Sequence, residues 1–269
     1  MIEANLHDHY TRRYDEATRL GSTLKGRLER ARVRDVMSLY LPMPPADIVD
    51  VGGGPGEHAT WLQSQGYTVE LLDPVQIHVD QATAAGITSV VGDARRLPWA
   101  DGRFDAALLA GPLYHLIDAA DRRAALQEVG RVLRPGGLVA TVAINRFANL
   151  LGATLANQLS ERRRVVEEIL ADGYTPRNDR MACTYYHTVS ELRAELTAAG
   201  LRRVTVHGLT GPGGWLTVAI DRHFKTGVLP DTLTNADPFQ TALDSARMAD
   251  RYPDLASSSS MLMAVGYRD

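Results

Sequence analysis

Cysteine is nearly absent from this chain: Cys183 stands alone among 269 residues. One thiol cannot form an intramolecular disulfide, a CxxC zinc site or a three-cysteine iron–sulfur cluster, so its default is a buried, inert side chain. Long apolar runs are missing as well. No stretch approaches 18 apolar residues, and the opening Met-Ile-Glu-Ala-Asn-Leu-His-Asp-His lacks a basic-then-apolar signal pattern. A cytoplasmic protein with no membrane partner is the expectation. Charge is balanced, with a formal net value of -3 and a pI near 6.2, which offers no electrostatic footprint for nucleic acid. The single basic run, Arg162-Arg163-Arg164, lies among Glu161, Glu167 and Glu168 and reads as a solvated helix face. His7-Asp8-His9 has no distant fourth ligand, so no metal is expected. Without a heptad seam or internal repeat, the sequence specifies no oligomeric state.

What remains is an ordinary globular composition, 45% hydrophobic and 23% charged. From residue 46 onward short apolar strands alternate with helices. Strands are expected at 47–51, 67–72, 88–91, 104–109, 138–143 and 203–207, with a last apolar run at 261–266. Helices are expected at 57–65, 76–85, 119–133 and 189–199, several closed by glycine. This rhythm predicts βαβ crossovers and a doubly wound α/β domain with helices on both faces of a mainly parallel sheet. Residues 1–45 read as helical and end at Pro42, Pro44 and Pro45. The rhythm breaks at 147–187, a helical insertion, and again at 209–256, which reads as an irregular loop insertion rich in Gly, Pro and Asp.

One motif dominates. Asp50-Val51-Gly52-Gly53-Gly54-Pro55-Gly56 joins a buried strand to a helix. Glycines there allow a sharp turn and a close approach of backbone to ligand, while the following helix offers unpaired N–H groups. A phosphate-binding P-loop would continue Gly-Lys-Ser/Thr, and this one does not. A dinucleotide fingerprint counted from Gly52 would need glycine where Glu57 stands. The acid followed by G-x-G-x-G resembles class I S-adenosylmethionine-dependent methyltransferases. Further matches follow in order: Asp73-Pro74 at the end of the second strand, Gly92-Asp93-Ala94 after the third, and Leu133-Arg134-Pro135-Gly136-Gly137-Leu138 before the fifth. The resemblance covers about residues 47–143. It implies a Rossmann-like seven-stranded sheet, six strands parallel and one antiparallel, over a core at 46–146 completed by 188–269. It also implies S-adenosyl-L-methionine as cofactor, held by Asp50, Gly52, Gly53, Gly54, Gly56, Asp73, Pro74, Asp93, Ala94 and Gly111. Asp73 would accept the ribose hydroxyls and Asp93 the adenine amine.

The acceptor belongs beyond the fourth strand, at Gly111-Pro112-Leu113-Tyr114-His115-Leu116. Base-amine methyltransferases resemble [Asp/Asn/Ser]-Pro-Pro-[Tyr/Phe/Trp] at this place, and Gly111 and Leu113 depart from that pattern. The segment instead resembles a bacterial subgroup acting on small metabolites or natural products. That likeness implies a small-molecule acceptor and no nucleic acid, with an O, N or C nucleophile. It further implies an N-terminal helical lid over 1–45, in which Tyr14 and Arg19 meet the cofactor and Tyr10 the acceptor; Tyr10 and Tyr14 also suit plain packing. His115 is the candidate general base, with Tyr114 beside it, because imidazole titrates near neutrality; the bland alternative is a histidine that hydrogen-bonds the loop or lines the cofactor pocket. His187 is a second candidate base, and Arg146, His187 and Trp215 are candidate acceptor contacts, against a surface arginine for Arg146 and plain cap packing for Trp215. Two other readings stay open, a peptide or protein carboxylate methyltransferase and a non-catalytic cofactor-binding protein.

Overall fold

A computed structural model describes residues 21–176, 183–223 and 237–269. Tyr10, Tyr14, Arg19 and the His7-Asp8-His9 run lie outside the described residues. Helix α1 (Leu24–Tyr40) is capped by the Thr23 hydroxyl, which accepts from the Gly26 amide at 3.0 Å. The alternation then runs β1 (Asp47–Val51), α2 (Glu57–Ser64), β2 (Thr68–Asp73), α3 (Gln76–Ala84), β3 (Thr88–Val91), β4 (Phe104–Leu109), the single turn α4 (Pro112–His115), α5 (Ala119–Val132) and β5 (Leu133–Ile144). The insertion holds α6 (Ala148–Leu155), α7 (Leu159–Asp172) and a two-strand ladder, β6 (Tyr174–Thr175) with β7 (Thr184–Tyr185). Helix α8 (Val189–Ala198), β8 (Leu201–Gly208), α9 (Gly214–His223), α10 (Pro238–Ala249) and β9 (Met261–Arg268) complete the order.

Seven strands form one sheet in the order β3-β2-β1-β4-β5-β9-β8, and β9 runs antiparallel to both its neighbours. This is the expected Rossmann-like α/β sheet, six strands one way and one the other. Strand period decides which residues meet which helices. Val49, Val51 and Leu109 face one core with Leu126 and Val129 of α5 and Leu192 and Leu196 of α8. Ile48, Leu71 and Leu108 face the other, with Val33, Val36 and Met37 of α1 and Ala59 and Leu62 of α2.

Two local expectations change, and the described part of the expected lid is fixed to the body of the fold: the apolar stripe of helix α1 is part of the second core, and α9 and α10 pack on it. Among the described residues, the stretch 209–256 carries two helices where an irregular loop was expected, because Gly214 and Pro238 fall at helix starts. Pro238 opens α10 behind the Asp237 cap, and Ala242, Leu243 and Ala246 give that helix a buried stripe. Residues 134–137 are an excursion inside β5 rather than a turn before it: Phe104 pairs with Leu133 and Ala106 with Leu138.

A buried charge ties these layers together. Arg32, 1% exposed, donates through Nε to the Leu209 carbonyl at 3.0 Å and through Nη2 to both carboxylate oxygens of Asp250 at 2.7 and 2.8 Å. Removing one partner of such a pair strands the other. Arg32→Met is therefore expected to lower unfolding free energy by about 3–5 kcal/mol in urea melts; a midpoint equal to wild type would show that the network contributes nothing.

Candidate active site

The strand order reverses between β1 and β4, and in an open α/β sheet a ligand crevice lies at the carboxyl ends of the strands at such a point. The loops after these two strands touch here. A Cβ on Gly52 would stand 2.7 Å from the Pro112 Cγ, and one on Gly53 would stand 2.6 Å from Leu71 Cδ1 and 2.7 Å from Asp50 Oδ2. Gly52 and Gly54 adopt left-handed backbone, with φ of 71° and 56°. Gly56, also left-handed, is the N-cap of α2 and supplies no side-chain cap, so first-turn amides stay available to a ligand.

Asp50 is wholly buried at the end of β1, and neither carboxylate oxygen meets a hydrogen-bond partner among the described residues. Burial, and then the charge of Asp73, push its carboxyl up to about 7, with the Ala59 amide pulling weakly the other way. Asp73 instead meets three donors within the chain. Its Oδ2 accepts from the Gly54 amide at 2.9 Å, and its Oδ1 accepts from the Val75 amide at 2.9 Å and faces His78 Nδ1 at 3.0 Å. Pro74 makes the bend that lets Val75 reach back. Asp93, after β3, is committed to Arg95, whose Nε reaches both oxygens at 3.0 and 2.9 Å. Burial alone would raise the Asp93 carboxyl, but Arg95 outweighs it and holds it below the usual range. Ala94 is buried in the first core.

On the acceptor side, Gly111 caps α4. A Cβ there would lie 3.4 Å from the Tyr114 hydroxyl and 3.6 Å from the Gly52 carbonyl, so Gly111 lies between the Tyr114 side chain and the glycine loop. The Tyr114 and His115 rings meet edge-on at 4.6 Å. Arg146 and His187 come together elsewhere, at the end of β5. The His187 amide donates to the Ile144 carbonyl and the Arg146 amide to the His187 carbonyl, both at 2.9 Å. The Arg146 guanidinium is paired with both oxygens of Glu191 at 2.7 Å, and His187 Nε2 lies 3.1 Å from Glu195 Oε2. Burial pushes the Glu195 carboxyl up, yet His187 and Arg122 overcome this and hold it at about 2. Trp215 points its Nε1 at the Ser258 carbonyl, 2.5 Å away, and packs near Gly152 rather than the glycine loop.

Four participants escaped the sequence reading: His78, Arg122, Glu195 and Tyr185. Arg122 donates to the Leu116 and Ile117 carbonyls and to Glu195, and its guanidinium lies 3.6 Å over the Tyr185 ring. His78 had a readable signal, a histidine in the first turn of the helix that follows Asp73. Arg122 and Glu195 had none, since 73 residues separate them.

The buried Asp50 carboxyl makes a prediction about stability. Its proton is held in the folded chain up to about pH 7 but lost near 3.8 when unfolded, so stability falls as pH rises through that window, by on the order of 4 kcal/mol. Asp50→Asn removes the charge at constant shape. Thermal melts are expected to show the variant gaining on wild type at pH 8 and not at pH 4; an equal difference at both would reject the assignment.

Comparison with known proteins agrees with this geometry. Residues 49–141 match the methyltransferase domain family model. A demethylmenaquinone methyltransferase of Mycolicibacterium vanbaalenii is 28% identical over 77% of this chain and 90% of its own length. A malonyl-[acyl-carrier protein] O-methyltransferase of Methylococcus capsulatus is 34% identical over 62% of this chain and 66% of its own. A SAM-dependent methyltransferase of Thermotoga maritima, described as a possible histamine N-methyltransferase, shares the fold with a TM-score of 0.58 at 15% identity over the whole of both chains. The crevice fits S-adenosylmethionine: a cradle that any Cβ would fill, an orphaned buried carboxylate for a cationic ligand, and an acid at the end of β2. The chain is a class I S-adenosylmethionine-dependent methyltransferase.

Proposed function

We propose that this enzyme methylates an O, N or C nucleophile on a small, largely uncharged acceptor, with Tyr114 and His115 at the reacting end. The observation that carries this reading is the close packing of Pro112, the first residue of α4, on Gly52, which puts α4 beside the cofactor cradle. Bound S-adenosylmethionine supplies a methyl carbon already activated by its sulfonium. The chain's remaining task is to hold the acceptor in line and, for an O–H or C–H nucleophile, to remove a proton. The glycine-loop amides and Asp73 hold the nucleoside end, and Asp50 keeps an acceptor in a dry site for a cationic group. His115 is the proposed base; an amine acceptor would need only alignment.

The relatives point to two kinds of acceptor, and the arginines favour one. Binding an acceptor carboxylate, as a malonyl-type substrate would require, needs a cation with spare donors. Arg146 and Arg122 both lie at this end, and each already faces a glutamate. An uncharged, ring-containing acceptor suits the Tyr114, His115 and Tyr185 surfaces better.

Calorimetric titration with S-adenosylhomocysteine is expected to give one-to-one, micromolar binding. A labelled-methyl screen should then find turnover among phenols and hydroquinones before amines or carboxylic acids; methyl esters as the sole products would move the reading to carboxylate methylation. With a phenolic acceptor, His115→Gln is expected to cut kcat about 100-fold near pH 7 while leaving S-adenosylhomocysteine affinity within threefold. Retained turnover across pH 6–8 would remove His115 as the base.

A further inference from the structure

We propose that His78 is a positioning residue that sets ribose specificity: by holding one acceptor position of Asp73, it leaves that carboxylate to read a single ribose hydroxyl. The proposal rests on the cofactor assignment above. A carboxylate offers about four lone-pair positions. Three are occupied within the chain, by the Gly54 amide, the Val75 amide and His78 Nδ1, at 2.9, 2.9 and 3.0 Å. The donors come from three different places, the glycine loop, the bend after β2 and the first turn of α3. Such a carboxylate cannot rotate without breaking a bond. Both side chains are buried, at 6% and 7% exposure, so water does not replace a lost partner cheaply.

The two backbone donors follow from the turn itself, because any acid at position 73 would meet them. His78 is different. It is a side chain added to the ring of donors, and it consumes the position that a second hydroxyl would otherwise take. The expectation that Asp73 accepts both ribose hydroxyls therefore narrows to one. His78 does not touch the reacting atoms and acts only through Asp73. Its imidazole serves as the donor, so an amide placed at the same point should substitute for it. Asparagine carries its Nδ2 at about the position of histidine Nδ1; leucine fills similar space and donates nothing.

The test is titration of S-adenosylhomocysteine and its 2′-deoxy and 3′-deoxy analogues into wild type, His78→Leu and His78→Asn, with thermal melts of each. Wild type is expected to bind one deoxy analogue at least tenfold more weakly than the parent and the other within threefold, the size of one lost bond to a charged acceptor. In His78→Leu the tolerated analogue should also lose affinity, fivefold or more, because the freed position now takes the second hydroxyl. His78→Asn should restore the wild-type asymmetry. Equal penalties for both analogues in wild type would overturn the proposal. So would an unchanged asymmetry in His78→Leu, even with a lower melting temperature, since that describes a histidine with a packing role only. If the leucine variant fails to fold, the wild-type asymmetry and its retention in His78→Asn decide the matter. Absence of S-adenosylhomocysteine binding by wild type would overturn the cofactor assignment and this proposal together, a result distinct from the two failures just named.

Discussion

Everything at the active end of this protein follows from one steric constraint. Between β1 and α2 the backbone must pass within contact distance of Leu71, Asp50 and Pro112, and no side chain fits in the gap. Only glycine satisfies that condition. The close pass seals the end of β1, which leaves Asp50 without water and raises its affinity for a proton. It also brings the Gly54 amide onto Asp73, coupling the loop to the second strand. The glycine loop, the two acids and the start of α4 are consequences of the same tight passage.

The parts of the fold legible in the sequence were those whose signal is local. Strand residues such as Val49, Val51, Leu108 and Leu109 are apolar on both faces, and glycines close several of the intervening helices, so the alternation could be read directly. The cradle was legible for the same reason, since its glycines and Asp50 are consecutive. What could not be read depends on distant partners. Arg146 looked like a free cation because Glu191 lies 45 residues away. Asp93 looked like an open acceptor until Arg95 folded back on it, a choice of rotamer rather than of pattern. At 209–256, helix-breaking residues at element ends hid the helices between them.

Cations help to anchor the insertion, beside buried apolar residues such as Ala153, Val166 and Ile169. Arg122 binds the carbonyls of Leu116 and Ile117, the carboxylate of Glu195 and the face of Tyr185 at once. Its planar fork carries five donors in fixed directions, which a lysine could not supply. Three segments distant in sequence, the loop carrying α4, the β7 strand and α8, are thereby fixed to one side chain. If the proposed acceptor docks here it meets a wall that is already assembled, which lowers the entropy lost when a small molecule docks.

The position of β9 has a consequence for biosynthesis. This strand is threaded between β5 and β8, although it follows both in the chain. On the ribosome, β1 to β5 can zip together as they emerge, but β8 has no partner until residues 261–268 leave the exit tunnel. During that interval β5 and β8 each present an open edge of unpaired backbone groups of the kind that pairs with other chains. Chaperone demand and losses to aggregation should accordingly concentrate in the interval before residues 261–268 emerge, and a ribosome stalled just before residue 261 would release a chain with its sheet still divided.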